Sequence, residues 1–141
     1  MQNKVKISLV QTILLVFSAL NILAFGGALV YAIVKGYVAS IVFGSIFTAA
    51  SASFTVALSL LKAGKHENKD LMHAFYIGNF VMTIVLAIIV FSVGTVFATD
   101  GNALLFFVSF IASAYLAADG ILSLYLRRLE NEQEYLDAVL A

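Results

Sequence analysis

The stretch "LMHAFYIGNFVMTIVLAIIVFSVGTVFA" (Leu71 to Ala98) contains no aspartate, glutamate, lysine or arginine. It is longer than the ~20 apolar residues needed to cross a bilayer core. Three further long apolar runs are Ile7 to Val34 and Tyr37 to Leu61, also without a charged residue, and Ala103 to Leu126, whose one charged residue is Asp119. Hydrocarbon offers no partner to a stray backbone amide, so each run must bond internally, as a helix does. None alternates with the period of two that barrel strands require.

The rest of the composition agrees. Of 141 residues, 62% are hydrophobic and 11% charged, whereas a soluble domain is about 25% charged. Mean hydropathy is +1.03. Such a chain has too few polar residues to cover a water-facing surface. Net charge is zero, so no basic face points to nucleic acid. Without cysteine there is no disulfide, thiolate metal site or thiol nucleophile. The first run is far longer than the ~7–15 apolar residues of a signal peptide, so it is expected to remain as a span.

The breaks are short. Lys35-Gly36 parts the first two runs, "AGKHENKD" (Ala63 to Asp70) the middle pair, and "TDGN" (Thr99 to Asn102) the last pair. Asp100-Gly101 is turn chemistry, and Asn102 and Asp70 can cap the helices that follow. Short loops place sequential helices side by side and antiparallel. The expected fold is all-α: one up-down bundle of four transmembrane helices over residues 1–126, with a helical tail over 127–141. Lys4, Lys6, Lys62, Lys65, Lys69, Arg127 and Arg128 fall on one side of such a bundle, and only Lys35 on the other. That bias predicts cytoplasmic termini, a cytoplasmic central loop and a cytoplasmic tail. In the tail, Leu129, Leu136 and Leu140 form a thin apolar stripe among Glu130, Glu132, Glu134 and Asp137. It reads as a solvated helical end or as a helix that docks a protein.

Helices in lipid associate through small residues and interhelical hydrogen bonds. In the second run Ser40, Gly44, Thr48, Ser51, Thr55 and Ser59 recur at spacings of three and four, which keeps them on one face. The expected reading is a packing seam, with a water-lined path as the alternative. The first run places Gln11, Ser18, Asn21 and Ala28 near one face. The third places His73, Tyr76, Asn79, Thr83 and Ala87 together. The fourth has a small seam, Ser109, Ser113, Ala117 and Gly120, beside a polar one, Ala112, Tyr115, Asp119 and Ser123.

Asp119, Asn79 and Thr55 each lie seven or eight residues from the basic end of their run. At 1.5 Å per residue that is roughly 10–12 Å into the membrane. Tyr76 and Ser18 are close to that depth. A buried polar layer is therefore expected around Asp119 and Asn79, with Thr55, Tyr76 and Ser18. Intramembrane acids are functional candidates by default. Here Asp119 has no lysine or arginine in the middle of any run to pair with. A carboxyl kept neutral can donate to Asn79 or a tyrosine and act as a clamp between helices; the alternative is a proton, cation or ligand site.

No phosphate loop, zinc helix or second intramembrane carboxylate appears, so no catalytic, cofactor or metal residue is assigned. His66 reads as solvated and His73 as interfacial. No proline breaks a span as in many transporters. The stretch "FIASAYLAADGILSLYLRR" (Phe110 to Arg128) resembles the last helix of MARVEL-type tetraspan proteins, where an alanine-rich, tyrosine-containing run leads to a basic end. That resemblance implies an M-shaped topology and a role in membrane apposition or vesicle trafficking, at the plasma membrane or on vesicles. The leading expectation is a non-enzymatic tetraspan that organises membrane or assembles with itself or protein partners. The alternatives are a small oligomeric transporter or channel using Asp119, and an accessory or toxin-immunity subunit.

Overall fold

A computed structural model describes the backbone of residues 2–64 and 69–140, and the side chains of 4–64 and 70–140. Its four helices are α1 (Gln2–Lys35), α2 (Val38–Lys62), α3 (Lys69–Thr99) and α4 (Ala103–Leu140). All four are long and apolar enough to cross a membrane. Lys65 and His66, and the side chain of Lys69, lie outside the described residues.

Glycine ends three helices. Gly36, Gly64 and Gly101 adopt φ values of 74°, 76° and 81°, a left-handed conformation that costs other residues steric strain. After α1, Gly36 N–H donates to the Ile33 carbonyl and Tyr37 N–H to that of Ala32. After α3, Gly101 and Asn102 make the same pair of bonds to Ala98 and Phe97. Both are Schellman closures, which satisfy carbonyls the helix leaves unpaired. Asn102 then opens α4, its Oδ1 accepting from Leu105 N–H at 3.2 Å. Asp70 differs from the expected cap. It lies inside the first turn of α3, where its charge faces the positive end of the helix dipole.

Two helices outrun their apolar segments. α1 already includes Lys4 and Lys6, and α4 continues without a break from the span into the tail. Backbone hydrogen bonding does not depend on lipid, and no glycine or proline occurs between residues 121 and 140 to stop it. The extension carries helical i,i+4 pairs: Arg128 Nε to Glu132 at 3.2 Å and Gln133 Nε2 to Asp137 at 2.8 Å. Such exposed pairs each add a few tenths of a kcal/mol, about 0.2–0.5.

The chain divides into two compact units, Met1–Phe75 and Tyr76–Ala141. In the first, α1 and α2 form an antiparallel pair. Lys62 reaches Ser8 and Thr12, Ser18 meets Ser51, and Gly44 lies against Leu29. In the second, α3 and α4 run antiparallel, from Asn79 with Ser123 through Ser113 with the Ala87 carbonyl to Gly94 beside Ser109. The other helix faces are apolar and open: Leu23, Val38 and Leu104 are 72%, 72% and 73% exposed. So much uncovered apolar surface calls for lipid or protein around it.

Candidate functional site

The third and fourth helices bring Asn79, Asp119 and Ser123 together. On α3, Tyr76, Asn79, Thr83 and Ala87 follow one another at three, four and four residues, and all four are buried. On α4, Asp119 and Ser123 are one turn apart and both buried, Asp119 only 1% exposed. Asn79 Nδ2 donates to Asp119 Oδ1 at 3.1 Å and to Ser123 Oγ at 2.5 Å. The amide has two hydrogens, so both are spent on α4. Ser123 Oγ donates in turn to the Asp119 carbonyl at 3.2 Å. Thr83 Oγ1 donates to the Asn79 carbonyl at 2.7 Å and to that of Phe80 at 3.1 Å. The Asn79 amide thereby ties α3 to one turn of α4, while the Thr83 hydroxyl stays within α3.

Tyr76 takes a different partner. Its hydroxyl donates to Glu130 Oε1 at 2.8 Å. Glu130 belongs to the extension of α4, where Leu129 beside it is buried. The hairpin therefore holds the first turn beyond Arg127 and Arg128. Glu130 was not among the expected site residues, although its spacing of seven from Ser123 puts it on the same face of an unbroken helix. Ser123 carried a similar signal, one turn from Asp119 on the polar seam.

Ser18 and Thr55 meet in the first unit. Their hydroxyls share a short hydrogen bond, and both converge on the Ser51 carbonyl, Ser18 at 3.2 Å and Thr55 at 2.8 Å. This arrangement makes one α2 carbonyl the acceptor for both helices. Gln11 and Asn21 are also buried on α1. Along the α2 seam, Ser51 is buried, Gly44 and Thr48 are half-buried, and Ser40 and Ser59 are exposed. The Ser51 and Thr48 hydroxyl oxygens have no hydrogen-bond partner among the described residues. On α4, Ser113 and Ala117 are half-buried and Gly120 is buried.

Ser18→Ala is expected to weaken α1–α2 packing only slightly, by about 0.6 kcal/mol, a typical value for an interhelical hydrogen bond in lipid. Thr55 still supplies the Ser51 carbonyl, so no acceptor is stranded. Reversible unfolding in mixed micelles measures this, and a loss several times larger would show that Ser18 does more than share that carbonyl.

No family model, curated protein or solved structure matches this chain. Among the described residues, no group of three or more histidine, cysteine, aspartate or glutamate side chains is placed to hold a metal ion. The chemistry on view is that of donors and acceptors joined between adjacent helices.

Proposed function

We propose that this is a non-enzymatic, multi-pass membrane protein that organises membrane or assembles with protein partners, including copies of itself. The observation that supports it is the Asn79 amide, which spends both hydrogens on Asp119 and Ser123 of the neighbouring helix. A side chain so engaged holds helices together and has no spare donor for a substrate. In this reading the four spans run up and down, with both termini cytoplasmic, following the basic residues near their ends. The plasma membrane or a vesicle is the proposed site, following the resemblance of Phe110 to Arg128 to the last helix of MARVEL-type proteins. An accessory or toxin-immunity subunit is a narrower form of the same proposal, in which one partner defines the role.

Gentle solubilisation from native membranes followed by co-purification tests it. Recovery of a stoichiometric protein or lipid partner, or of a homo-oligomer, is the expected result. A monomer with no partner counts against the proposal.

A second reading rests on the burial of a carboxyl within a span, at Asp119. It makes the protein a small transporter or channel for a proton or cation. Flux into liposomes, compared between the native chain and Asp119→Asn, decides it. Flux that vanishes in a folded Asp119→Asn protein favours transport, and absence of flux in the native protein removes it.

A further inference from the structure

The α1–α2 pair carries positive charge alone. No aspartate or glutamate precedes Glu67, and Lys4, Lys6 and Lys62 all fall at the end where α1 starts and α2 stops. Lys62 is held in place there. Its ammonium donates to the Ser8 carbonyl at 3.4 Å and to Thr12 Oγ1. The Thr12 hydroxyl gives its own hydrogen to that same carbonyl at 2.9 Å, so toward Lys62 it only accepts. Both partners are neutral. The ammonium therefore keeps its full charge, and one of its three hydrogens is left over. An apolar row runs on from this end. Val5, Leu9, Val16, Leu20 and Leu23 recur at four, seven, four and three residues, which keeps them on one face of α1. All five are exposed, Val5 by 70% and Leu9 by 59%. At 3.6 residues per turn, Ser8 and Thr12, with the Lys62 ammonium on them, border that row on one side and Lys6 borders it on the other. Lys4 stands one turn before Ser8.

We propose that this face of α1 binds an anionic glycerophospholipid, with the headgroup phosphate at the Lys6 and Lys62 ammonium groups and an acyl chain along Leu9, Val16 and Leu20. This rests on the reading of the protein as one that organises membrane, and it names the lipid class. Charge and the order of the chemistry select the occupant. Cations with no acid beside them on either helix attract a headgroup of net negative charge and repel the choline of a zwitterionic one. The apolar row that follows them calls for a ligand charged at one end and hydrocarbon along its length. An acidic segment of a protein would satisfy the lysines but would bring its charges against Leu9 and Val16, at the cost of desolvating them. In the proposed topology these lysines face the cytoplasmic leaflet, where anionic lipid is concentrated and each nearby lysine adds to the attraction.

The chain has no tryptophan, so Leu9→Trp, at an exposed position, reports on the lipid beside this face alone. The full-length variant is placed in phosphatidylcholine vesicles holding a small fixed fraction of phosphatidylglycerol brominated on its acyl chains, or the same fraction of brominated phosphatidylcholine. Bromine quenches the indole on contact. Phosphatidylglycerol is expected to be enriched at Leu9→Trp by roughly fivefold over phosphatidylcholine, and by less as salt rises. Leu104→Trp, 73% exposed on α4, should show no such preference. In the Leu9→Trp background, Lys6→Gln with Lys62→Gln should abolish the preference, and Lys62→Arg, which keeps the charge, should retain it. Lys6→Gln alone should lower it; that side chain is exposed, so a loosened α1–α2 pair does not account for the loss. Inorganic phosphate, exchanged for chloride at equal ionic strength, should leave the quenching unchanged. Equal quenching by the two lipids, a preference that survives loss of both lysines, or displacement by free phosphate overturns the proposal. So does displacement by a peptide with the sequence of residues 129–141, which would make this face a protein-docking surface. Equal quenching leaves assembly with protein partners standing, whereas a monomer co-purified with neither protein nor lipid removes the wider reading.

Discussion

Gly120→Ala is expected to destabilise the α3–α4 pair although alanine is the better helix former. A Cβ at Gly120 would collide with Thr83 Oγ1 and stand 3.4 Å from the Phe80 carbonyl oxygen. Thr83 has little freedom to retreat. Its side chain is β-branched, and its hydroxyl is bonded to the Asn79 and Phe80 carbonyls. Two effects oppose each other. Alanine gains about 0.8–1.0 kcal/mol in helix propensity, while overpacking a close contact costs about 1–3 kcal/mol. The second wins, for a net loss of up to about 2 kcal/mol. Gly120→Val should cost more, because its extra methyls meet the same neighbours. Reversible unfolding in mixed micelles measures the loss. The added substitution Thr83→Ala, which removes the obstructing hydroxyl, should recover most of it; a double-mutant cycle isolates that coupling. By contrast, an added Cβ at Gly78 meets nothing within 4 Å, and Gly78→Ala should be neutral or stabilising. Equal behaviour of the two glycines would rule out close approach at Gly120.

Asn79→Leu is expected to cost about 2 kcal/mol, because it takes the amide donor away from Asp119 Oδ1 and Ser123 Oγ at a buried site. Asp119→Leu should do similar damage from the other side, leaving the Asn79 amide with Ser123 alone. Asp119→Asn should cost under about 1 kcal/mol, since its amide oxygen can still accept from Asn79 at the same place. The ranking matters more than the absolute values, because transmembrane hydrogen bonds measured by double-mutant cycles average near 0.6 kcal/mol. Unfolding of the three variants, together with liposome flux, separates the two roles of the carboxyl. A clamp predicts that stability follows hydrogen bonding and that function survives Asp119→Asn. An ion or proton site predicts a folded Asp119→Asn protein without flux.

The number of helices and their ends are readable from particular residues. Four long apolar runs can satisfy their amides only as helices, and Gly36 and Gly101 stand where left-handed closures are needed. The expected bound falls short at the start of α1 because it followed hydropathy, whereas the tail was expected to be helical and α4 runs on through it to Leu140. Lys4 and Lys6 are charged, and residues 127–140 are rich in charged and polar side chains, yet both stretches are helical, since an established helix extends through any residue that can hydrogen bond and is not strongly unfavourable. Asp70 was misplaced by one step for a related reason: α3 begins at Lys69, before its apolar run does.

The polar groups were legible as faces but not as partners. Spacings of three and four place Asp119 and Ser123 on one side of α4, and Asn79 and Thr83 on one side of α3. Depth counting brings Asn79 to the level of Asp119. Counting along single helices cannot decide that Ser18 and Thr55 converge on the Ser51 carbonyl, or that Tyr76 bonds Glu130 in the tail rather than Asp119. Those pairings depend on the rotation and offset of two packed helices, which shift a side chain by several ångströms while leaving every run and spacing unchanged. Hydrophobic run length dictates helix count and span because lipid penalises an open amide at any position. The choice of hydrogen-bond partner is made only when two helices come close enough for a hydroxyl or an amide to reach across.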